Sequence, residues 1–383
     1  MDRSHLDWPF FADLHRALAA DLGAWAATTL ATDDHADVDA RCRALVHALG
    51  AAGWLRYCVP AAHGGALEAL DSRALCVARE TLAWHDGLAD FAFAMQGLGS
   101  GAITLAGTEA QQARWLPRVA QGTAIAAFAL SEPDAGSDVA AMSTRAARDG
   151  DGWVLDGSKT FVTNAPVADV FVLYARTSPG FAGITSFLVP RGTPGLTVSA
   201  PIEKMGLRTS LTSEVCFEGC RVPGDAVLGR VGSGAMVFSR VMDVERLLLM
   251  APAVGVMERL LERCTAHARE RKAGGVPIGR HQSIAHRIAD MELALESARL
   301  LLYRGAWRKM KRGTSTRESA LAKLAVSEAY VASCRSAMQI FGGYGYMVEY
   351  EIERELRDAL ATTIYVGTSE IQRNLIAGLR GLG

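Results

Sequence analysis

Hydrophobic positions along the chain change their period twice. From about residue 10 to 125, apolar residues recur three or four positions apart, as in FFADLHRALAADLGAWAA, which indicates amphipathic helices. Between about 126 and 230 the runs are short, β-rich and separated by glycine and proline. Helical spacing returns after residue 232. We therefore expect a mainly α protein with a helical region at 1–125, a central β domain at 126–230 and a helical bundle at 231–383.

Local signals predict details within these blocks. Thr108 and Gln111 have the spacing of a capping box that opens a helix. The Asp156–Gly157 dipeptide suits a tight hairpin, whose two central residues need positive φ. Pro252 lacks an N–H and is expected to kink the helix that contains it. One helical face in the last block is apolar, with Ile284, Ile288, Met291, Leu295, Ala298 and Leu302 at spacings of four and three.

Composition and charge argue against several classes of partner. Lysine and arginine number 40 against 41 acidic residues, so no net field attracts nucleic acid or an anionic membrane. The longest strongly apolar stretch, 247–257, has eleven residues and falls short of the about 20 needed to cross a bilayer. The first residues show no export or transit pattern, which predicts a cytoplasmic location. The chain is expected to bind a small molecule.

Seven cysteines are scattered along the chain without a CxxC pair. This arrangement suggests neither a disulfide framework nor a zinc site. Cys216 and Cys220 are the closest pair, and their strand-like surroundings favour burial over metal binding. We interpret all seven as reduced thiols.

Several segments carry a family resemblance through their order and distances. They are FALSEPDAGSD (128–138), KTFVTN (159–164), MDVERLLLMAPAVG (242–255), RERKAGGVPIGRHQ (269–282), QIFGGYGY (339–346) and IYVGTSEIQRN (364–374). Over essentially its whole length the chain resembles the acyl-CoA dehydrogenases. The resemblance implies a helical N-terminal domain, a β-barrel-like middle domain and a C-terminal four-helix bundle, with FAD between the last two.

The resemblance also implies which residues hold the flavin. The first flavin loop lies at 128–137, a triplet that is WIT-like in the family lies at 161–163, and a third contact lies in the GTSE segment. Thr163 would place its hydroxyl near flavin N5. The expected contacts are Phe128, Leu130, Ser131, Gly136, Ser137, Phe161, Val162, Thr163, Thr368 and Glu370.

A second set of expected FAD contacts acts across a subunit interface in the family. The set is Arg271, Gln282, Gln339, Gly342 and Gly343, and it implies a homodimer or homotetramer. A guanidinium suits a diphosphate because its planar donors meet two oxygens at once, and paired glycines let backbone approach closely. Without the surrounding segment, Arg271 would be interpreted as a solvated charge at a helix end.

The usual catalytic base of the family is absent here. Most members read YEGT, and this chain has valine at position 366 in Tyr365–Thr368. The isovaleryl and long-chain branches carry the glutamate instead in a segment resembling LDLERL, where this chain has Glu245. Glu245 also flanks an apolar stripe, so it must be paired with an arginine or face a cavity. We expect Glu245 to be the base.

The family mechanism assigns the remaining roles. Glu245 takes the α proton while hydride leaves the β carbon for flavin N5, which gives a trans-2-enoyl-CoA from an acyl-CoA. The backbone N–H at Val366 still stabilises the charge on the thioester oxygen. The residues that match the acyl-CoA channel are Ser137, Asp243, Arg246, Val366 and Gly367. Asp243 and Arg246 are three apart and are alternatively a local ion pair. Electron-transfer flavoprotein is the expected electron acceptor.

The sequence departs from the family pattern at two flavin segments. Phe161 replaces tryptophan, and Ala273–Gly275 replaces an aromatic residue after the RK pair. Three alternatives therefore stay open beside the acyl-CoA dehydrogenase. They are a dehydrogenase of a carrier-protein-bound acyl thioester, a flavin oxidase or monooxygenase on the same fold, and a flavin-binding protein without catalysis.

Overall fold

The computed structural model describes residues 1–30 and 37–382. Its first region is helical, and the predicted capping box is confirmed: Thr108 Oγ1 accepts a hydrogen bond from the Gln111 N–H at 3.2 Å. Gln111 Oε1 accepts in return from the Thr108 N–H at 2.9 Å. The helices are α1 (Asp13–Thr29), α2 (Val38–Ala51), α3 (Ser72–His85), α4 (Gly87–Ala106) and α5 (Glu109–Ala120).

The second region is a β-sheet. Its strands are β1 (Ala126–Ala129), β2 (Arg145–Asp149), β3 (Gly152–Thr163), β4 (Val170–Arg176), β5 (Ile184–Pro190), β6 (Leu196–Val198), β7 (Thr212–Val222) and β8 (Val227–Leu228). The order across the sheet is β6-β7-β3-β2-β4-β5-β8, and β1 pairs in parallel with β4. Alternate residues of these strands bury a core that includes Leu155, Phe171, Phe187 and Phe217. The sheet thus has its own hydrophobic core.

The predicted hairpin at Asp156–Gly157 is wrong. Both residues lie inside β3, at an irregularity in its pairing with β7 between Leu155 and Gly157. Gly157 has φ +139°, and a Cβ there would approach Thr144 Cα at 2.7 Å. Glycine at positive φ occurs both at irregularities within strands and in tight hairpins, so the dipeptide does not distinguish them. The β2–β3 turn comes earlier, between Asp149 and Gly152.

The third region is again helical. Its elements are α6 (Gly234–Leu248), α7 (Ala251–Glu270), the short strands β9 (Lys272–Ala273) and β10 (Val276–Pro277), α8 (Gln282–Arg312), α9 (Thr316–Phe341), α10 (Ile352–Thr362) and α11 (Ser369–Gly378). On α8 the predicted face points inward, with Met291, Leu295, Ala298 and Leu302 buried. The architecture is mainly α with a central β domain, as the sequence predicted.

A buried ionic network fixes α3 to the bundle. The Arg299 guanidinium donates to the Glu80 carboxylate at 2.9 Å and to the Glu258 carboxylate at 2.6 Å. All three side chains are almost fully buried. Removing one partner of such a network would leave a buried charge unpaired, which is strongly destabilising. The intact network therefore holds the helices in one arrangement.

Pro252 lies at a break between two helices. The predicted kink within a single helix is therefore wrong. Helix α6 ends at Leu248, and α7 begins at Ala251 with Pro252 in its first turn. Proline is well accepted at the first helical positions, because their N–H groups have no partner inside the helix. The break leaves Glu245 in the last turn of α6.

The structure also bears on membrane and metal binding. Across residues 1–30 and 37–382, no helix has the length and apolar character to span a membrane. Within the same residues, histidine, cysteine and acidic side chains form no group that could hold a metal ion. The seven cysteines are free thiols, as the sequence predicted.

Candidate active site

Glu245 is a buried carboxylate without a partner. Its side chain is 5% exposed, and within the described residues it forms no hydrogen bond or ion pair. Burial raises the pKa of Glu245 to about 7, while the charge of Arg79 lowers it and that of Asp90 raises it. The alternative of a direct pairing with a neighbouring arginine is not what the structure shows. The carboxylate is free to take a proton near neutral pH.

Arg79 and Asp90 form a buried ion pair near Glu245. Arg79 Nε donates to Asp90 Oδ1 and Arg79 Nη2 to Asp90 Oδ2, each at 2.9 Å, and both residues are almost fully buried. They line a cavity of about 470 Å³ together with Tyr365, Leu249 and others, whereas Glu245 and Val366 do not line it. Sequence reasoning missed this pair. Its signal was two charges of opposite sign inside the apolar run that forms α3 and α4.

Val366 has a backbone conformation that is rare for its side chain. Its φ is +56°, and Gly367 follows with φ +88°. β-Branched residues seldom adopt this left-handed region, and such strain clusters at functional sites. The Val366 side chain packs against the apolar cluster that includes Val241 and Met242 of α6. Val366 thus packs against a cluster to which the helix carrying Glu245 contributes several residues.

The Val366 N–H is available to a ligand. Within the described residues it donates no hydrogen bond, although the Val366 carbonyl accepts one from the Gln372 side chain at 3.4 Å. A half-buried N–H without a partner carries a cost that a bound acceptor removes. The Val366 N–H can therefore donate to an oxygen atom of a ligand.

The first flavin loop is fixed to β3 by hydrogen bonds. The Thr160 N–H donates to the Ser131 carbonyl at 2.8 Å. Lys159 Nζ donates to the Leu130 carbonyl at 3.0 Å and to Glu132 Oε1 at 2.7 Å. The loop and the triplet at 161–163 therefore form one rigid unit.

Glu132 and Lys159 are structural residues that sequence reasoning missed. Burial alone would raise the pKa of Glu132, and hydrogen bonds from Lys159, Thr144 and Ser143 lower it to about 2. Burial lowers the pKa of Lys159 to about 8 against the opposing effect of Glu132. The signal in the sequence was a lysine in the middle of a strand, since such a side chain is buried only with a partner.

An irregularity in β3 presents the predicted flavin triplet. Lys159 pairs with Val215 and Val162 with Ser213, so β3 contains one extra residue there. The bulge turns Phe161 outward, with φ +55° and 67% of its side chain exposed, while Val162 is buried. Thr163 is half-buried. A large exposed ring beside a fixed polar loop fits the flat face of a flavin.

The second set of predicted FAD residues lies together at one end of the bundle. The Arg271 guanidinium lies 5.5 Å from the centre of the Tyr344 ring, which joins its segment to the QIFGG segment. Gln282 opens α8, Gln339 lies near the end of α9, and the glycines at 342–343 follow it. Within the described residues, no hydrogen bond joins this set to the first flavin loop or the triplet. One chain therefore presents two groups of expected FAD contacts that no hydrogen bond joins within the described residues.

The GTSE segment opens α11. Thr368 Oγ1 accepts a hydrogen bond from the Ile371 N–H at 3.3 Å and so caps the helix. Glu370 lies exposed in the first turn, where hydrogen bonds from its own backbone N–H and from Thr368 lower its pKa. Glu370 is thus open to solvent or a ligand, whereas the Thr368 hydroxyl oxygen is engaged in capping the helix.

Asp243 and Arg246 are not paired with each other. Asp243 accepts from Lys309 Nζ at 2.9 Å and from Thr316 Oγ1 at 2.8 Å. Arg246 forms no ion pair within the described residues, and its Nε is buried without a hydrogen bond. Burial lowers the Arg246 pKa. Arg246 thus has donors left for a ligand, whereas the Asp243 oxygens are already engaged. Ser137, in the first flavin loop, is exposed.

Models of acyl-CoA dehydrogenase domains match most of the chain. The N-terminal domain matches residues 12–123, the middle domain 127–220 and the C-terminal domain 232–378. The chain belongs to the acyl-CoA dehydrogenase family. This acyl-CoA dehydrogenase uses FAD, and the exposed Phe161 ring and the fixed loop at 128–137 are residues that fit a flavin.

Similar proteins include enzymes named for CoA substrates and enzymes named for carrier-protein substrates. Human mitochondrial short-chain specific acyl-CoA dehydrogenase is 42% identical over 340 residues, 88% of this chain and 82% of that one. L-prolyl-[peptidyl-carrier protein] dehydrogenase of Pseudomonas fluorescens is 42% identical over 332 residues, 86% of this chain and 87% of that one. The crystal structure of the prolyl acyl carrier protein oxidase AnaB matches with TM-score 0.91 and 37% identity, covering 97% of this chain and 100% of that one.

Proposed function

We propose that the enzyme converts an acyl thioester, in the first instance an acyl-CoA, into its trans-2-enoyl form with Glu245 as the base. The observation that carries the proposal is a buried, unpaired carboxylate at position 245 with a pKa near neutrality. The valine at 366 leaves the position of the usual base without a proton acceptor. Glu245 and the Val366 backbone thus divide two roles that one glutamate residue combines elsewhere in the family.

The side chains act on the substrate in a definite order. Arg246, with unfilled donors, binds the polar part of the thioester, and the Val366 N–H donates to the thioester oxygen. This hydrogen bond stabilises the negative charge that develops when the α proton leaves. Glu245 takes that proton. FAD supplies the acceptor, at N5, for the hydride that leaves the β carbon.

Exclusion of water tunes the base. Because burial raises the pKa of Glu245 to about 7, the Glu245 carboxyl group is ionised in about half of the molecules at pH 7. An acyl chain bound beside Glu245 removes more water from it, which favours transfer of the proton to Glu245. A fully exposed glutamate would be a weaker base toward a thioester α carbon.

The test is anaerobic bleaching of the FAD-loaded enzyme by acyl-CoAs of different chain length. The variant Glu245→Gln, with matched flavin content, should bleach at least about 1,000-fold more slowly, since general base catalysis contributes about that much. Glu292→Gln changes an exposed glutamate on α8 and serves as the matched control. Equal bleaching by Glu245→Gln and the wild type would contradict the proposal.

A second candidate substrate is an aminoacyl group on a carrier protein. Two similar proteins are named for a prolyl group on a carrier. The buried Arg79–Asp90 pair, whose charges act on Glu245, favours this candidate, because a purely hydrocarbon acyl chain makes no use of ions near the base. Burying an ion pair has a desolvation cost, and a polar substrate that interacts with the pair offsets part of it. The reaction is the same removal of an α proton and a β hydride.

The double variant Arg79→Met/Asp90→Leu tests this candidate. Replacing both partners avoids an unpaired buried charge, so the fold should survive. The ratio of the bleaching rate with prolyl-pantetheine to that with butyryl-pantetheine should fall at least about tenfold, because a polar group loses its partners. An unchanged ratio would show that the pair does not select the acyl group.

The lack of a hydrogen bond between the two groups of FAD residues is consistent with an oligomeric enzyme. Arg271 and its neighbours would complete the FAD site of another subunit, which gives a homodimer or a homotetramer. Light scattering of the FAD-loaded enzyme measures the oligomeric state. Arg271→Ala should lose FAD while the oligomeric state stays unchanged.

Electron-transfer flavoprotein is the proposed electron acceptor, and oxygen takes its place if the enzyme is an oxidase. Rapid reoxidation of the reduced enzyme in air distinguishes the two.

A further inference from the structure

A run of cations surrounds the connection between α8 and α9. Residues 304–317, called the basic turn below, contain no acidic residue. The cations of the basic turn are Arg304, Arg308, Lys309, Lys311, Arg312 and Arg317. The whole chain has a net charge of −1, so this concentration does not reflect a basic protein.

Part of this charge is not neutralised. Arg308 and Arg317 both approach Glu318, at 3.3 and 3.6 Å. Lys311 and Arg312 are exposed and form no ion pair within the described residues. A local excess of exposed cations of this kind attracts acidic partners over several ångströms.

The basic turn is fixed to the helix that carries the base. Lys309 Nζ and Thr316 Oγ1 both donate to the Asp243 carboxylate, and Ser319 Oγ donates to the Asp243 carbonyl at 3.1 Å. Asp243 lies two residues before Glu245 on α6. The turn is therefore held at the α6 side of the active site.

Neighbouring positions extend the cationic surface. Arg312 lies one helical turn beyond Lys309 on α8, on the same face. Arg240 is exposed on α6, one turn before Asp243, and forms no ion pair within the described part of the chain. Arg240, Lys311 and Arg312 thus present three free charges around the contact between α6 and the basic turn.

We propose that the basic turn and Arg240 dock the acidic surface of a carrier protein. The carrier would deliver an acyl group on its phosphopantetheine arm, whose inner end passes Arg246 and reaches Glu245. The inference rests on the carrier-bound candidate under the proposed function. A free small thioester gains little from charges spread over two helices, whereas a protein surface meets them all. Such complementarity acts mainly on the rate of encounter.

The test uses the FAD-loaded enzyme and the variant Lys311→Glu/Arg312→Glu. Three substrates carry the same L-prolyl group: a peptidyl-carrier protein, CoA and pantetheine. For the carrier substrate kcat/KM should fall about tenfold or more at low salt with kcat unchanged, because steering by charge is lost. Salt should lower the wild-type value toward that of the variant. Activity on prolyl-pantetheine should not change.

Arg145→Glu/Arg380→Glu gives the same charge change at exposed cations on other elements and serves as the control. An unchanged kcat/KM for the carrier substrate in Lys311→Glu/Arg312→Glu would overturn the docking surface alone. An equal loss with prolyl-CoA would also overturn it, since the cations would then recognise a phosphate. Wild-type enzyme that uses prolyl-CoA as well as the loaded carrier would overturn the carrier-bound function itself.

Discussion

Glu245 should destabilise the folded protein as the pH rises. Its ordinary pKa is 4.5, and burial raises the pKa to about 7 in the folded state. The folded protein therefore binds the proton more tightly than the unfolded chain does. The contribution of this bound proton to the free energy of unfolding is fully present below about pH 4.5. It is lost as the pH rises through about 7. The loss amounts to about 3 kcal/mol, because each pKa unit corresponds to about 1.4 kcal/mol.

The variant Glu245→Gln isolates this contribution, since glutamine has the shape of the protonated acid at every pH. It should exceed the wild type in free energy of unfolding by about 3 kcal/mol at pH 8 and by less than about 1 kcal/mol at pH 5. Urea unfolding of flavin-matched proteins, followed by tryptophan fluorescence, measures the difference. Glu292→Gln should show no such pH dependence. Equal stabilities of wild type and Glu245→Gln at pH 8 would refute the reasoning.

Other predictions concern the same site. The wild-type bleaching rate should rise about tenfold from pH 6 to pH 8, as ionised Glu245 increases, and a flat profile would contradict the base assignment. Val366→Glu in the Glu245→Gln background should bleach at least about tenfold faster than Glu245→Gln alone, and no recovery would place the substrate elsewhere. Lys159→Met should lower the free energy of unfolding by about 3–5 kcal/mol and release FAD, because Glu132 stays buried without its partner. The ratio of flavin to protein absorbance measures that release, and full retention would contradict it.

Periodicity predicted the fold well because it depends on local burial. The inward face of α8 and the capping box at Thr108 each depend on residues within a few turns, and the structure contains both. Signals that describe only a backbone angle were less specific. Gly157, with its positive φ, lies at an irregularity within a strand instead of in a hairpin, and Pro252 lies in the first turn of a helix instead of bending one.

The candidate site was less predictable, because its electrostatics depend on residues distant in sequence. The local sequence pattern shows that Glu245 flanks an apolar stripe. It does not show that Arg79 pairs with Asp90, which leaves Glu245 without an ion-pair partner. The Lys159–Glu132 contact likewise joins a strand to a loop 27 residues away. Neither pairing has a periodic signature, and each appears only when the fold brings its partners together.

The break between α6 and α7 also affects the electric field at the base. A helix carries partial negative charge at its C-terminal end, where the last carbonyl groups lack partners within the helix. Because α6 stops at Leu248, Glu245 lies inside that final turn. The backbone itself thus disfavours ionisation of the carboxylate and increases its proton affinity. A continuous helix through residues 249–250 would remove this field, so the position of Pro252 contributes to basicity from seven residues away.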